Sequence, residues 1–517
     1  MSQLASDIDS QSRDANDSLM RPGRDDIALS AATLRCLPAR LEVPRYERSS
    51  LRSGIAHIGV GAFHRSHQAV YIDRLLNQGL GHDWAITGVG VLDSDAALHR
   101  DLTAQDCLYT VIEKQGEHGF RPAAIGSLID HLHAPADPEA VVGRLAHPAT
   151  RMVTLTITEG GYGIDDATGE FRLNLPDISA DLKTDRPPKT VFGLVTAALA
   201  RRYKNGQPPF TIASCDNLPG NGAIAKHAFT AFADLKDPAL ANWMERECTF
   251  PNSMVDRITP ATTDDDRRDL LRRTGVIDAR PVVCEPFIQW VLEDAFVDGR
   301  PPLEEAGVQV VTDVQPYELA KLRLLNGSHQ ALAYFAALLG IQTVDQAIGE
   351  PLLAKFVAGY MAEATSTLKP PTGLDLNDYK RTLIARFSNS AIGDTVERLC
   401  AYSSDRIPKF VLPVIRDQLD DGRPIDFGVA IVASWARYAE GSDEHGRTIN
   451  VVDNRAAGVS RQARSWPGDA LAFIRDRALF GDLAADERFA AVYERTLESL
   501  HERGTRDTLA RLFRGVL

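Results

Sequence analysis

A doubly wound α/β domain followed by a mainly α-helical one is the fold class predicted by three features of this 517-residue sequence. Short apolar runs of strand length alternate with helical patterns through the first part of the chain. The first of those runs ends in a glycine-bearing turn that leads straight into a helix. From about residue 315 the strands stop and long helical patterns take over. Strand alternating with helix implies a parallel sheet covered on both faces. A strand, tight turn and helix in succession is the usual opening of a Rossmann-type unit.

Taken in order, residues 1–50 are expected to form an N-terminal arm and connecting segment, partly disordered. The opening stretch MSQLASDIDSQSRDANDSLMRPGRDD is polar and has no apolar core of a secretory signal. IAHIGV (55–60) reads as the first strand, and FHRSHQAVYIDRLLNQG (63–79) as a helix with Val70, Leu75 and Leu76 at helical spacing. WAITGVGVL (84–92) has no polar alternation, as expected of a strand buried on both faces. CLYTVIEK (107–114), RMVTLTIT (151–158) and PFTIASC (209–215) continue the series, with TVFGLVTAALARRYKNG (190–206) as an intervening helix. The expected domains are a Rossmann-type dinucleotide-binding domain over 51–312 and a mainly α-helical substrate-binding and catalytic domain over 313–517. The second begins with PYELAKLRLLNGSHQALAYFAALLG (316–340) and ends with LARLFRGVL (509–517).

Composition narrows the ligands. With 44% hydrophobic and 25% charged residues the chain has enough apolar material for several cores. A net charge of −13 argues against nucleic acid or an anionic membrane, because neutralising phosphates needs clustered Lys and Arg. The six cysteines stand singly, with no zinc spacing, and no stretch of about 20 apolar residues suggests a membrane span. A reduced, cytoplasmic protein acting on a small molecule is expected.

HIGVGAFHRSHQ (57–68) is the candidate cofactor turn. Gly59 and Gly61 let the backbone turn tightly and approach a pyrophosphate just before a helix start. A G-x-G-x-x-G pattern wants a third glycine where this chain has His64, so the fingerprint is degenerate and an ordinary glycine turn competes with it. Arg65 could pair with a phosphate and Phe63 could pack on the nucleotide. Past the second strand, in LDSDAAL, Asp95 stands where an acid would accept a hydrogen bond from a ribose 2′-hydroxyl and repel a 2′-phosphate. Asp93 is equally placed by position, and either could be a solvated loop acid.

ELAKLRLLNGSHQ (318–330) is more informative. On a helix Glu318, Lys321, Leu325 and His329 stand at i, i+3, i+7 and i+11, with Asn326 close to that face. Leu319, Leu322, Leu324 and Leu332 around them speak against a merely solvated stripe. A lysine in apolar surroundings is easier to deprotonate and can serve as a general base. A neighbouring amide can donate a hydrogen bond to an alkoxide or carbonyl oxygen. Lysine, amide and histidine together suit removal of an alcohol proton while hydride leaves, and no metal is required.

Two loops carry further candidates. SCDNLPGNG (214–222) sets Asp216, Asn217 and Asn221 at the carboxyl end of a strand, and SMVDRITP (253–260) places Asp256 and Arg257 in a similar turn. Asx residues in such turns commonly serve the backbone instead.

With these segments in hand, the chain resembles the long-chain polyol dehydrogenases. GVGAFHRSHQA, TEGGY, SCDNLPGNG, FPNSMVDRITP, CEPFIQWV, KLRLLNGSHQ and SSDRIPKF follow in family order across about residues 50–450. The resemblance implies a Rossmann-type domain, an α-helical C-terminal domain and metal-independent hydride transfer between NAD and a secondary alcohol of a sugar polyol. Lys321 matches the family's general base, and Asn217 and Asn326 the amides that polarise the reacting oxygen. Asp256 and His329 match substrate-binding positions. Glu318 matches a carboxylate that gates proton exchange between the lysine and solvent.

Gly59, Gly61, Phe63 and Arg65 match the cofactor turn, so the resemblance makes His64 part of the pattern. Asp95 matches the position that favours NAD, though Ser94 stands where NAD-preferring members often carry glutamate. Arg398 and Lys409 are aligned with residues reaching the far end of the sugar. SSDRIPKF points to the mannitol branch, hence to D-mannitol and D-fructose interconverted at C2. Alternatives of the same chemistry are a fructuronate or tagaturonate reductase and a D-arabinitol dehydrogenase. A catalytically silent nucleotide sensor is the alternative from another class, against which the intact Lys321, Asn326 and His329 set speaks. A monomer is the expected state.

Overall fold

The computed structural model describes residues 26–116, 119–165, 169–183 and 187–517. The polar stretch 1–25, where disorder is expected, lies outside the described residues. The chain divides into two units. The first reaches Val314 and the second runs from Gln315 to Leu517.

The first unit is built on five parallel strands: β1 (Ser53–Ile58), β2 (Ala85–Gly90), β3 (Leu128–His133), β4 (Met152–Leu155) and β5 (Thr211–Ser214). Their order is β3-β2-β1-β4-β5. That order matches the first five strands of the dinucleotide-binding order 3-2-1-4-5-6, in which the strand order reverses between β1 and β4 and opens a crevice at the strands' carboxyl ends. Every residue of β1, β2, β4 and β5 is buried, which is why these strands read as mainly apolar runs with no polar face. Each buried Ile or Val among them stabilises the unit by roughly 1.5–3 kcal/mol.

Helices α1 (Ala62–Ser66), α2 (Gln68–Asn77), α3 (Ala96–Ala104), α4 (Val191–Lys204) and α5 (Asn221–Lys236) connect or flank these strands. Helix α4 starts where Thr190 accepts a hydrogen bond from the Gly193 N–H at 3.0 Å, an N-cap worth about 1 kcal/mol.

Two expectations are corrected here. CLYTVIEK forms a strand, Tyr109–Gln115, but it lies in a separate three-stranded sheet between Val282–Cys284 and Gly119–Ile125. The third place beside β2 belongs to β3, whose sequence LIDHLH mixes polar with apolar residues and gives no apolar run. The single helix expected over 63–79 is two helices, because His67 leaves helical geometry (φ −117°, ψ −92°). Its ring lies 2.8 Å from the Gln289 carbonyl oxygen through Nε2 and stacks on Phe63 at 4.8 Å. A further small sheet contains β6 (Ser253–Asp256) paired antiparallel with β7 (Gln289–Glu293).

The second unit is helical. The segment expected to be one helix over 316–340 comprises α6 (Gln315–Ala320), a π-helical stretch Lys321–Asn326, and α7 (Gly327–Leu338). Helix α7 is buried on nearly every side, with Leu332, Tyr334 and Phe335 at 0% exposure, so it lies at the centre of this unit's core. It packs against α8 (Pro351–Thr365) and α9 (Asp426–Ala439).

Between α8 and α9 sits a buried carboxylate. Glu363 accepts hydrogen bonds from the N–H groups of Gly428 (2.8 Å) and Phe427 (3.1 Å) at the start of α9. Burial raises its pKa to about 7 despite those two donors. A carboxyl whose folded pKa lies above its unfolded one favours folding when protonated. Its contribution is fully present below the unfolded pKa and is lost as pH rises through about 7. Wild-type stability should therefore fall relative to Glu363→Gln between pH 4 and 8, by on the order of 3 kcal/mol. Denaturant titrations of both proteins across that range measure the difference, and a pH-independent difference would refute the assignment.

Candidate active site

Gly59 ends β1 with φ +92°, and a Cβ there would meet the Thr156 carbonyl oxygen at 2.1 Å. Only glycine satisfies both conditions. Gly61 is different: nothing but the Gly59 carbonyl oxygen lies within 4 Å of a Cβ built on it, so space is open in front of the turn. A glycine forced against the neighbouring strand and a second one facing open space fit the close approach of a pyrophosphate.

The residues that follow divide by role. Phe63 is half-buried and stacked on His67. Arg65, expected to face a phosphate, is instead buried, with its guanidinium donating to the carbonyl oxygens of Arg280 and Gly61 and lying over the Tyr109 ring. His64 fills the third-glycine position as a buried ring stacked 3.4 Å from His57. Helix and strand meet through two imidazoles here, where a glycine would bring the backbones together.

At the carboxyl end of β2, Asp95 turns back on its own loop. Its Oδ2 accepts from the N–H groups of Val91 and Leu92, both at 2.9 Å. Asp93 is exposed. Asp95→Ala would thus collapse the loop as well as remove a charge, whereas Asp95→Asn keeps an acceptor for both N–H groups. If the charge repels a 2′-phosphate, Asp95→Asn should improve kcat/KM with NADP by about tenfold, on the order of one charge interaction of 1.4 kcal/mol. Unchanged NADP kinetics in that variant would move the role to Asp93 or elsewhere.

Loops after β4 and β5 complete the ligand edge. Thr158, at the start of the Thr-Glu-Gly-Gly-Tyr loop, holds φ +65°, a costly conformation for a β-branched residue. It is held by Asp216, whose carboxylate accepts from the N–H groups of Ile157 (3.0 Å) and Thr158 (2.9 Å) and from the Tyr162 hydroxyl (2.7 Å). Burial raises the Asp216 pKa, while those donors oppose the rise.

Asn221 ties the same loop to β6: Nδ2 donates to the Asp216 and Ser253 carbonyls, and Oδ1 accepts from the Ser253 N–H. Asp216 and Asn221 are therefore structural clamps. Asn217, between them in sequence, is exposed. Asp256 is buried at the end of β6. Its neighbour Arg257 is a buried strut, paired with Glu113 at 2.5 Å and donating to the Glu285 carbonyl at 2.9 Å.

In the second unit Lys321 is 7% exposed and Glu318, one turn earlier, 9%. Asn326 and His329 are half-buried, and His329 lies against Phe387 with ring centroids 4.7 Å apart. The π-helical stretch changes which residues share a face. The Gly327 N–H donates to the Leu322 carbonyl, five residues back, and in such a turn positions five apart come into line. Lys321 and Asn326 are five apart, so the wider turn brings Asn326 nearer the Lys321 face than α-helical spacing would, alongside Leu325. Arg323, the other cation of this stretch, is bound to Asp417 at 2.6 Å. Gly327 is where the chain passes Tyr360: a Cβ there would meet the tyrosine oxygen at 2.1 Å.

Arg398 and Lys409 are not placed alike. Arg398 forms a two-pronged ion pair with Asp394, both contacts at 2.5 Å, and its guanidinium is thereby occupied. Lys409 is exposed near the end of the helix Ser403–Phe410. Among the described residues no group of three or more His, Cys, Asp or Glu is placed to hold a metal ion, and no helix is long and apolar enough to cross a membrane.

The site residues that the motifs alone leave without a role are His57, Gln68, Thr154 and Thr156, which back the glycine turn. HIGVG and TLTIT contain three of them, but only as parts of apolar strands.

Comparison with known proteins agrees with this geometry. Residues 53–305 match the mannitol dehydrogenase Rossmann domain, and residues 313–501 the mannitol dehydrogenase C-terminal domain. The chain is 44% identical over 473 residues to a mannitol 2-dehydrogenase of Phaeosphaeria nodorum, covering 90% of this chain and 83% of that one. It is 42% identical over 482 residues to a mannitol dehydrogenase of Saccharomyces cerevisiae, covering 92% and 96%.

Among solved structures, the Pseudomonas fluorescens mannitol 2-dehydrogenase in ternary complex with NAD and D-mannitol superposes with a TM-score of 0.82 at 44% identity. That match covers 94% of this chain and all of the other. A D-sorbitol dehydrogenase in substrate-free form gives a TM-score of 0.88 at 38% identity over 93% of this chain and all of the other. With both domains matched across most of its length, this chain belongs to the mannitol dehydrogenase family.

Proposed function

We propose that the protein is an NAD-dependent, metal-independent oxidoreductase that interconverts D-mannitol and D-fructose at C2, with Lys321 as general base. The observation that supports this reading is the buried π-helical stretch Lys321–Asn326, which carries a lysine and an amide among the buried Leu324 and Leu325. The relatives named for mannitol and the solved complex with NAD and D-mannitol support the substrate and the cofactor.

Bound at the Gly59 turn, NAD supplies the hydride acceptor. Lys321 Nζ takes the proton of the reacting hydroxyl as C2 becomes a carbonyl, and returns it in the opposite direction. Asn326 and Asn217 each donate to the same oxygen, which is where negative charge develops. Asp256 and His329 hold substrate hydroxyls, and Glu318 passes the proton between Lys321 and solvent. Arg398 and Lys409 remain assigned to the distal sugar end, with Arg398 required to leave Asp394 to act there.

The similarity to a D-sorbitol dehydrogenase makes D-sorbitol the competing substrate to measure first. Exhaustively chelated enzyme should reduce NAD fastest with D-mannitol in a panel containing D-arabinitol and D-sorbitol. It should oxidise NADH with D-fructose in preference to D-fructuronate. Activity abolished by chelation and restored by zinc would refute the metal-free mechanism, and a higher kcat/KM for another polyol would reassign the substrate.

A further inference from the structure

Behind the Gly59 turn lies a buried chain of polar groups that the reaction itself does not use. His57, fully buried on β1, has Nδ1 2.8 Å from Thr154 Oγ1 and Nε2 2.9 Å from Thr156 Oγ1. Thr156 Oγ1 lies 2.7 Å from the Gly59 carbonyl oxygen, and Thr154 Oγ1 lies 2.9 Å from the Gln68 side-chain amide. The links run from α2, through β4 and β1, to the peptide of the cofactor turn.

Each threonine hydroxyl has one proton, and this decides how the chain is polarised. In the placement with Gln68 Oε1 toward Thr154, that hydroxyl gives its proton to Oε1 while Thr156 gives its own to Gly59. Both threonine oxygens are then acceptors, and His57 must carry two N–H groups and a positive charge. The site opposes that charge: His57 has no exposure, the His64 ring is stacked 3.4 Å away, and burial holds the His57 pKa down at about 3.

A neutral Nδ1–H ring is the next possibility. Thr156 would then donate to Nε2, leaving two oxygens 2.7 Å apart with no proton between them. The same placement leaves Gln68 Nε2 buried with no partner. Rotating the amide removes the conflict over protons along the chain and turns Oε1, an acceptor, into the buried position where Nε2 had no partner; the two ends of a glutamine amide are told apart by their hydrogen bonds alone.

We propose that His57 is a positioning residue in a one-directional hydrogen-bond wire that fixes the Gly59 peptide for cofactor binding. Gln68 Nε2–H donates to Thr154, whose hydroxyl donates to Nδ1 of a neutral His57. His57 Nε2–H donates to Thr156, whose hydroxyl donates to the Gly59 carbonyl. The rotated Gln68 Oε1 is then an acceptor available to the N–H of a neutral His64, whose nitrogens are otherwise unpartnered in the buried stack. Gly59, pressed against Thr156 by its positive φ, is thus also held through its oxygen, and the following N–H groups keep a fixed direction. This rests on the reading of that turn as the NAD site.

Two measurements test it. With 15N-labelled histidine, and His57 identified by difference against His57→Gln, the His57 signals should show a bare Nδ1 and a protonated Nε2 that persist from pH 5 to 9. An imidazolium, or a protonated Nδ1, overturns the wire. Thr156→Val should weaken NAD binding about tenfold by fluorescence titration, with Thr156→Ser close to wild type and kcat at saturating NAD changed far less. Equal NAD affinity in Thr156→Val and wild type overturns the role in positioning. A wild-type protein that binds no NAD refutes the cofactor reading instead, and the histidine tautomer then decides the wire alone.

Discussion

Lys321→Ala should lower kcat/KM for polyol oxidation by about 10²–10⁴-fold, the usual worth of a positioned general base. The lysine is 7% exposed, so on the proposed mechanism its loss removes the proton acceptor without bringing bulk water in as a ready substitute. Oxidation needs the neutral amine and reduction the charged one. Rising pH should therefore speed oxidation and slow ketone reduction over the same interval in the wild type, and both limbs should vanish in the variant. Small primary amines added to Lys321→Ala should recover part of the oxidation rate, because they can enter the space left by the side chain. A variant that keeps the wild-type pH limb and a near wild-type rate would show that another group is the base.

Asn326→Ala should slow oxidation and reduction alike, by roughly 10²–10³-fold, the cost of removing one donor to an oxygen on which charge develops. This separates it from the lysine, whose effect depends on pH with opposite sign in the two directions. Asn326→Asp is the sharper substitution. It has the same shape but presents a second negative charge to that oxygen, and should be at least as slow as alanine. Asn217→Ala should behave as Asn326→Ala does. If both directions keep their rates when Asn326 is changed, the amide does not act on the reacting oxygen, whatever the lysine does.

The helical placement on which both expectations rest was only partly readable. Apolar spacing around Lys321 indicates a buried helix, and Lys321 and Glu318 are buried as that requires. Spacing cannot reveal a π turn, because whether the chain takes up an extra residue in one wide turn depends on the packing around it, and that turn is what moves Asn326 toward the Lys321 face. The glycine turn was similarly half legible. Gly59 stands out as glycine before a helix, but the reason no other residue fits is the Thr156 carbonyl, which follows β4 about a hundred residues later.

Arg65 and Asp95 show the limit from the other side. Both have the charge and the position expected of cofactor ligands, and both have that charge engaged by backbone groups of this chain. Asp216 and Asn221 sit in the right loop yet serve to hold it. Charge and sequence position are local properties, whereas a side chain's partner depends on which backbone groups the fold leaves unpaired nearby.

The sequence by itself determined the α/β-then-helical plan, because burial on two faces produces apolar runs and burial on one helix face produces a period, and both are written along the chain. It also determined which residue types were available for chemistry. The tertiary structure alone decided the place of β3 in the sheet, since its polar residues conceal it from any apolar pattern. It likewise decided which acids and cations are committed to the backbone, and that His57 and His64 stack where a third glycine was expected. Those outcomes depend on distances between segments remote in sequence, and such distances exist only once the chain has packed.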